Sequence, residues 1–337
     1  MLKKEALKQA LTLLSKEATV LIPAKTEGAT RFMPFKPDAD LEGFELINTV
    51  LPPKDYLFSQ TEKLYSFKAD GLNVKVEEIN EARPQIVFGI RPCDVDSIGR
   101  MDQVFLTKDF TDKVYAAKRE KFGIIAIACS RADESCFCDS MGINPGAAPL
   151  ADILLSPASG GWNLSIQSEK GKALAETMKA SLSEGASQNT ASQPGAVCSL
   201  KVNMEGVPEK LAAMFEHPMW DEAWRTCLCC GTCTFVCPTC YCFELETRTA
   251  GSEGITQRNW DSCMFSEYTR MAGGHNPRPG KKERVRNRFM HKLSFFKERY
   301  GQNLCVGCGR CLAKCPMSVD IVRIAEMAGA AQPGAKK

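Results

Sequence analysis

Leu7, Leu11 and Leu14 recur on one face at the start of the chain, while Lys3, Lys4, Glu5 and Lys8 fall off it. That spacing predicts an amphipathic surface helix rather than a signal peptide. Residues 1–85 mix short helical and extended segments, broken at Leu51-Pro-Pro-Lys54, which reads as a loop. The pattern then changes. Gln85-Ile-Val-Phe-Gly-Ile90 and Gly123-Ile-Ile-Ala-Ile-Ala128 are apolar without alternation, as expected of strands in a parallel sheet covered on both faces. Residues 94–121 between them carry a helical stretch or two, completing a β-α-β unit. Residues 180–197 are small, polar and punctuated by Gly and Pro, which predicts a mobile loop. From about residue 207 the pattern is helical, with Val285, Phe289, Leu293, Phe296 and Tyr300 at helical spacing.

The expected architecture is α+β. Residues 1–205 form an α/β domain with a mostly parallel sheet, residues 206–325 an α-helical domain, and residues 326–337 a flexible tail. No transmembrane span is expected, because the longest clean apolar run, residues 124–129, is far short of the ~20 residues a bilayer requires. The chain of 337 residues carries 44% hydrophobic and 25% charged residues and a net charge of +3, so nothing global points to nucleic acid or a membrane surface. The cytoplasm is the expected location.

Cysteine changes the picture. There are 17, and 12 of them follow residue 226. In a chain long enough for an adequate core and lacking an export signal, metal ligation is a better reading than disulfides. Two stretches, Cys227-Leu-Cys-Cys230-Gly-Thr-Cys233-Thr-Phe-Val-Cys237-Pro238 and Cys305-Val-Gly-Cys308-Gly-Arg-Cys311-Leu-Ala-Lys-Cys315-Pro316, fit C-x2-C-x2-C-x3-C-P. This is the pattern of two-cluster ferredoxins, in which the fourth cysteine of each motif ligates the other cluster. Three thiolates from one tight loop can hold three corners of an iron–sulfur cube, and the intervening glycines let the backbone approach it closely. The expected [4Fe–4S] ligands are Cys227, Cys230, Cys233 and Cys315 for one cluster, and Cys305, Cys308, Cys311 and Cys237 for the other. Structural zinc favours paired C-x2-C knuckles, four ligands per ion, which this arrangement is not. The spacer between motifs is too long for a minimal ferredoxin, which predicts a helical ferredoxin domain carrying an insertion.

A second group lies upstream. Cys93 follows the first buried strand, Cys129 ends the second, and Cys136 and Cys138 follow in a loop. If those strands are parallel neighbours, their C-terminal ends lie side by side at the edge where open α/β sheets bind ligands. A third Fe–S cluster on Cys93, Cys129, Cys136 and Cys138 is one reading; inert buried thiols or zinc are the others. Of the remaining cysteines, Cys240 and Cys242 line the cluster pocket or offer alternative ligation, Cys198 and Cys263 are assigned to packing, and Cys229 has no assigned role.

The chain resembles the iron–sulfur β subunit of cytoplasmic sulfhydrogenases and the corresponding iron–sulfur subunit of anaerobic sulfite reductase. The matching pieces span most of its length: Leu51-Pro-Pro-Lys54, Gly89-Ile-Arg-Pro-Cys-Asp94, Cys136-Phe-Cys138, Cys230-Gly-Thr-Cys233, Cys237-Pro-Thr-Cys240, Met271-Ala-Gly-Gly-His-Asn-Pro-Arg278, His291-Lys292 and Cys305-Val-Gly-Cys-Gly-Arg-Cys311. The resemblance implies an electron-transfer subunit. Its partners would be a flavin/NAD(P)H-binding subunit and a catalytic redox subunit of hydrogenase, sulfite reductase or heterodisulfide-reductase type.

No dinucleotide fingerprint or P-loop is present: around Gly280-Lys-Lys282, His275 replaces the first P-loop glycine and Lys282 the Ser/Thr. With three histidines, a Ser-His-Asp triad or a His-rich metal site has little to be built from. Residues 278–300 hold nine Lys/Arg and two Glu. They read as a solvated helix face, as compensation for anionic clusters, or as a docking face for an acidic partner, with no nucleic-acid module beside them. Two functional classes follow. One is a redox subunit of an oxidoreductase complex, not catalytic alone. The alternative is a self-contained Fe–S enzyme with a substrate-binding cluster.

Overall fold

The computed structural model describes residues 1–108, 110–183 and 195–332. Its strands are β1 (Leu2–Lys3), β2 (Thr19–Thr26), β3 (Ala29–Pro34), β4 (Thr61–Asp70), β5 (Asn73–Glu78), β6 (Gln85–Ile90), β7 (Phe122–Ile127), β8 (Ile153–Ala158), β9 (Gly161–Ile166), β10 (Phe243–Ala250) and β11 (Glu253–Trp260). Seven form one sheet in the order β1-β9-β8-β7-β6-β2-β3. The two apolar runs are its centre, with β6 and β7 parallel and in register from Gln85 opposite Phe122. β2 and β8 extend the parallel core on either side, while β3, β9 and β1 add antiparallel edges. The sheet is therefore mixed rather than mostly parallel, because short hairpins such as β2–β3 and β8–β9 can only add antiparallel strands.

Alternate residues of the central strands serve opposite layers. Ile86, Phe88 and Ile125 pack under α1 (Leu7–Leu14) with Leu7, Leu11 and Leu14. Val87 and Ile124 pack against Ile98 and Phe105 of α2 (Pro92–Phe105) and Tyr115 of α3 (Lys113–Glu120). Pro92 opens α2, where a missing N–H costs nothing. Asp112 caps α3 by accepting from Tyr115 N at 2.8 Å, and Ser168 caps α4 (Glu169–Thr177) by accepting from Gly171 N at 2.9 Å.

The remaining helices are α5 (Val207–Ala213), α6 (Met219–Ala223), α7 (Thr232–Phe235), α8 (Lys281–Met290), α9 (Phe296–Tyr300), α10 (Arg310–Ala313) and α11 (Ile321–Ala330). A π-helical turn at His291–Phe295 joins α8 to α9 as one rod. Leu211, Trp220, Phe289, Leu293 and Ile324 fill the core of this part. The helical expectation fails at β10 and β11. Their sequence alternates polar and β-branched or aromatic residues around a left-handed Gly251, the signature of a hairpin rather than a helix. This hairpin crosses the boundary expected at residue 205, because β11 pairs antiparallel with β4 in a second sheet of order β10-β11-β4-β5. Arg258 of β11 is buried there between Glu62 of β4, at 2.7 Å, and Asp112, at 2.6 Å.

Of the flexible tail expected over 326–337, residues up to Ala330 are helical instead, because α11 buries Ile324, Ala325 and Ala328, and residues 333–337 lie outside the described residues. The mobile loop expected at 180–197 lies largely outside the described residues, although Leu182 bridges to Leu2 and Ala196 N donates to Cys129 O at 3.0 Å. Among the described residues no helix is long and apolar enough to cross a membrane.

Candidate metal centres

The two cysteine motifs fold into near-copies of one another. Each has a left-handed glycine before a four-residue helix, Gly231 (φ 77°) before α7 and Gly309 (φ 74°) before α10, and these helices pack together. Two residues earlier each loop has a second left-handed position, Gly307 (φ 62°) in one and Cys229 (φ 55°) in the other. At that position the backbone N–H turns onto the first sulfur of the motif: Gly307 N donates to Cys305 Sγ at 3.4 Å and Cys229 N to Cys227 Sγ at 3.3 Å. Val319 N likewise donates to Cys315 Sγ at 3.2 Å. Amide donors aimed at cysteine sulfurs are the bonds that tune iron–sulfur clusters.

Cys227, Cys230, Cys233 and Cys315 line a single cavity walled by Val285, Phe289 and Arg288. Cys230 is exposed. Cys237 leaves this loop and lies within electrostatic reach of Cys305, Cys308 and Cys311. Cys315 thus joins the cavity of the first motif, while Cys237 lies within reach of the sulfurs of the second motif and of Cys233. Among the described residues no three Cys, His, Asp or Glu side chains are close enough to chelate one ion. Thiols spread around a cavity suit a polynuclear cluster better than a zinc ion.

Burial pushes the Cys227 thiol up to about 11 and Cys308 up to about 12, and raises Cys233, Cys305 and Cys311. These groups become thiolates when iron binds, so assembly releases protons. Cys237 differs: a hydrogen bond from Cys240, with Lys292, Thr239 and Lys54 nearby, holds it well below the usual thiol range.

Three buried cations surround the cysteines. Lys292 Nζ donates to Thr239 Oγ1 at 2.8 Å, Lys54 Nζ to Cys240 O at 2.9 Å, and Arg288 Nη2 to Cys233 O at 3.4 Å. Among the described residues none of the three forms an ion pair with a carboxylate, and Arg288 Nε has no partner. Burial lowers the Lys54 ammonium. It also opposes the charge of Lys292 and Arg288, but the neighbouring sulfurs of Cys237 and Cys240, and of Cys233 and Cys311, more than offset it and hold both cations firmly protonated. Isolated buried cations are costly without a counter-charge. Two net-anionic clusters held by the flanking thiolates would supply it, so the residues fit the group. Of the basic stretch 278–300, Arg288 and Lys292 do this work. Arg284 instead donates to backbone oxygens, and Arg286 to Phe215 O and Glu216. His291 turns away, its Nε2 2.9 Å from Tyr241 OH, and burial lowers it to about 4, so it is neutral.

The upstream cysteines sit against the second motif. Gly307 leaves no room for a side chain, since a Cβ would lie 2.6 Å from Cys138 Cα, and Phe137 N donates to Gly307 O at 2.9 Å. Cys93, Cys136, Cys138 and Cys308 share one buried cluster. Asn48 stitches it, with Nδ2 3.2 Å from Cys308 O and 3.8 Å from Cys136 Sγ. Cys198 also belongs to this cluster, its Sγ 3.7 Å from Cys138 Sγ. The sequence carried no spacing that could single it out from a packing residue. Cys242 and Cys263 form a separate hydrogen-bonded pair that, with Tyr268 and Lys292, lowers Cys242 to about 6.

A family model for a 4Fe-4S dicluster domain matches residues 226–319, the span of both motifs. The chain is also 30% identical over 283 residues to the β subunit of sulfhydrogenase 2 from Pyrococcus furiosus, covering 82% of each chain. The chain belongs to the sulfhydrogenase β-subunit family. The similarity extends well beyond the dicluster domain, so the sulfhydrogenase-type β chain includes the upstream sheet as well as the cysteine loops. No solved structure is significantly similar.

Proposed function

We propose that this chain is the iron–sulfur electron-transfer subunit of a multi-subunit oxidoreductase of the cytoplasm, connecting a flavin/NAD(P)H subunit to a catalytic subunit of hydrogenase, sulfite reductase or heterodisulfide-reductase type. Its relative is by name a hydrogenase subunit. The observation that carries the reading is the set of buried, carboxylate-free cations Arg288, Lys292 and Lys54 between the two cysteine sets. Clusters bound there would supply one-electron chemistry at low potential. The residues around them hold the charge, exclude water and order the sites.

That order runs from the cavity of Cys227, Cys230, Cys233 and Cys315 to the set of Cys305, Cys308, Cys311 and Cys237, and on to the upstream cysteines. Arg288 faces Cys233 of the first set and Cys311 of the second. Cys308 of the second set abuts Cys93 of the upstream group. In this reading residues 1–205 carry a third cluster, and the second motif is the middle of the row. A self-contained enzyme is favoured by one observation alone, a polar cavity beside Cys129 that also presents Arg91 and Arg131.

The test is to offer the purified, cluster-loaded chain reduced viologen and NAD(P)H in turn. Viologen bleaches the clusters, and NAD(P)H does so only once a flavin partner is added. Stoichiometric reduction by NAD(P)H in the pure chain would overturn the relay and favour the enzyme.

A further inference from the structure

We infer that Cys198, and not Cys93, is the fourth protein ligand of the N-terminal cluster, completing the set Cys129, Cys136 and Cys138. This rests on the reading that a third cluster exists.

Cys198 is 1% exposed and its sulfur lies 3.7 Å from that of Cys138. The backbone that delivers it is pinned at both ends of the ligand loop. Ala196 N donates to Cys129 O at 3.0 Å, and Cys198 N donates to Asp139 Oδ2 at 3.1 Å. Gly195 has no space for a side chain, because a Cβ there would come within 2.1 Å of Gly146 N. A buried thiol beside Cys138, on a backbone bonded to Cys129 and Asp139, is a preorganised ligand rather than a filler. Cys198 shares one buried cluster with Cys136 and Cys138, and the Ala196–Cys129 backbone bond brings its segment against the fourth cysteine.

Cys93 is tied differently. It lies in the first turn of α2 rather than on the loop that carries Cys129, Cys136 and Cys138, its sulfur is 4.0 Å from Asn48 Oδ1, and the adjacent Asp94 is paired with Arg310 of the second motif. Asn48 Nδ2 in turn donates to Cys308 O at 3.2 Å. Cys93 is therefore a thiol packed between the N-terminal site and the second ferredoxin-type motif. The close pair Cys138–Cys198 could instead be read as a latent disulfide, which would need the sulfurs to close to about 2.05 Å and an oxidant to take two electrons.

The full-length chain and its variants Cys198→Ser, Cys198→Ala and Cys93→Ser are loaded with iron and sulfide without oxygen. They are compared by iron content and by the electron paramagnetic resonance of the dithionite-reduced state. Wild type is expected to hold about twelve iron atoms, both Cys198 variants about eight with the two ferredoxin-type signals intact, and Cys93→Ser about twelve. Those two signals report that the variants are folded. In wild type itself, alkylation followed by peptide mapping should find Cys198 protected when loaded and labelled after iron is chelated away. Twelve irons in the Cys198 variants, a loss of four in Cys93→Ser, equal labelling of Cys198 in both states, or a Cys138–Cys198 disulfide in the loaded chain would each overturn the assignment. Only eight irons in wild type would instead remove the third cluster, and this inference with it.

Discussion

Asp94 and Arg310 meet as a buried, two-pronged ion pair although 216 residues separate them, with Nη1 2.6 Å from one carboxylate oxygen and Nη2 2.7 Å from the other. Asp94 follows Cys93 in the first turn of α2, and Arg310 opens α10 between Cys308 and Cys311. Arg310 Nε also donates to Thr49 O at 2.7 Å. One guanidinium thus fixes the second cysteine loop to both α2 and the loop that carries Asn48. Removing only one partner strands a buried charge, at a cost of about 3–5 kcal/mol, whereas replacing both by apolar residues is often neutral. Asp94→Leu should therefore lower the denaturant midpoint strongly. The double variant Asp94→Leu/Arg310→Met should recover most of the loss. Equal destabilisation in single and double variants would show that the pair is not the source.

Lys292 bears on redox potential rather than stability. Its ammonium is buried against Cys237 and Cys240 with Thr239 as its hydrogen-bond acceptor. Nearby positive charge favours the reduced, more anionic cluster. Lys292→Met should shift the midpoint of the cluster held by Cys237 negative by tens of millivolts, where about 59 mV is a tenfold change in the one-electron equilibrium. Lys297→Met, on the solvent side of the same rod, should not move it. Redox titration followed by electron paramagnetic resonance reads both.

Crossed ligation predicts an asymmetric loss. Cys315 lies in the 305–315 motif but lines the cavity of Cys227, Cys230 and Cys233. Cys315→Ser should impair the cluster of the first motif and spare that of the second. Selective loss of the cluster on Cys305, Cys308 and Cys311 would show that ligation does not cross.

The near-symmetry of the two loops gives Cys229 a backbone role, although its sulfur lies 4.0 Å from Cys227 Sγ on the same cavity. It holds the left-handed position that Gly307 holds in the other loop. A non-glycine residue in that conformation is strained by roughly 1–2 kcal/mol. Cys229→Gly should keep both ferredoxin-type clusters and cost no stability. Gly307→Ala should fare worse, because its Cβ would strike the Cys138 backbone. Iron content and thermal midpoint distinguish the outcomes; iron lost in Cys229→Gly would make that sulfur a ligand after all.

What could be read from the sequence was what repeats or what lacks alternation. The runs at 85–90 and 123–128 announced neighbouring parallel strands because burial on both faces leaves no polar side, and β6 and β7 are those strands. The doubled cysteine spacing announced a dicluster domain because ligand geometry is local to one turn. Other features were hidden because they join distant segments. Nothing near Phe243 states that β11 will pair with β4, and nothing near Lys54 states that it will lie 4.1 Å over the Trp260 ring beneath Cys240. Cys198 has no spaced partner in the chain, and only the fold gives it neighbours.

The four-stranded sheet also imposes a timetable. Glu62 pairs with Lys118 as well as with Arg258, and the second of these partners lies 196 residues away. At translation rates of about 5–20 residues per second, the carboxylate leaves the ribosome on the order of ten to forty seconds before Arg258. Until β11 is made, a β4–β5 hairpin would leave the β4 edge unpaired, the kind of template on which neighbouring nascent chains pair. The opposite strand, β5, carries Lys75, Glu77 and Glu78 on a fully exposed ribbon. Its charges discourage strand addition on that side, while β4 stays receptive on the other until β11 is made.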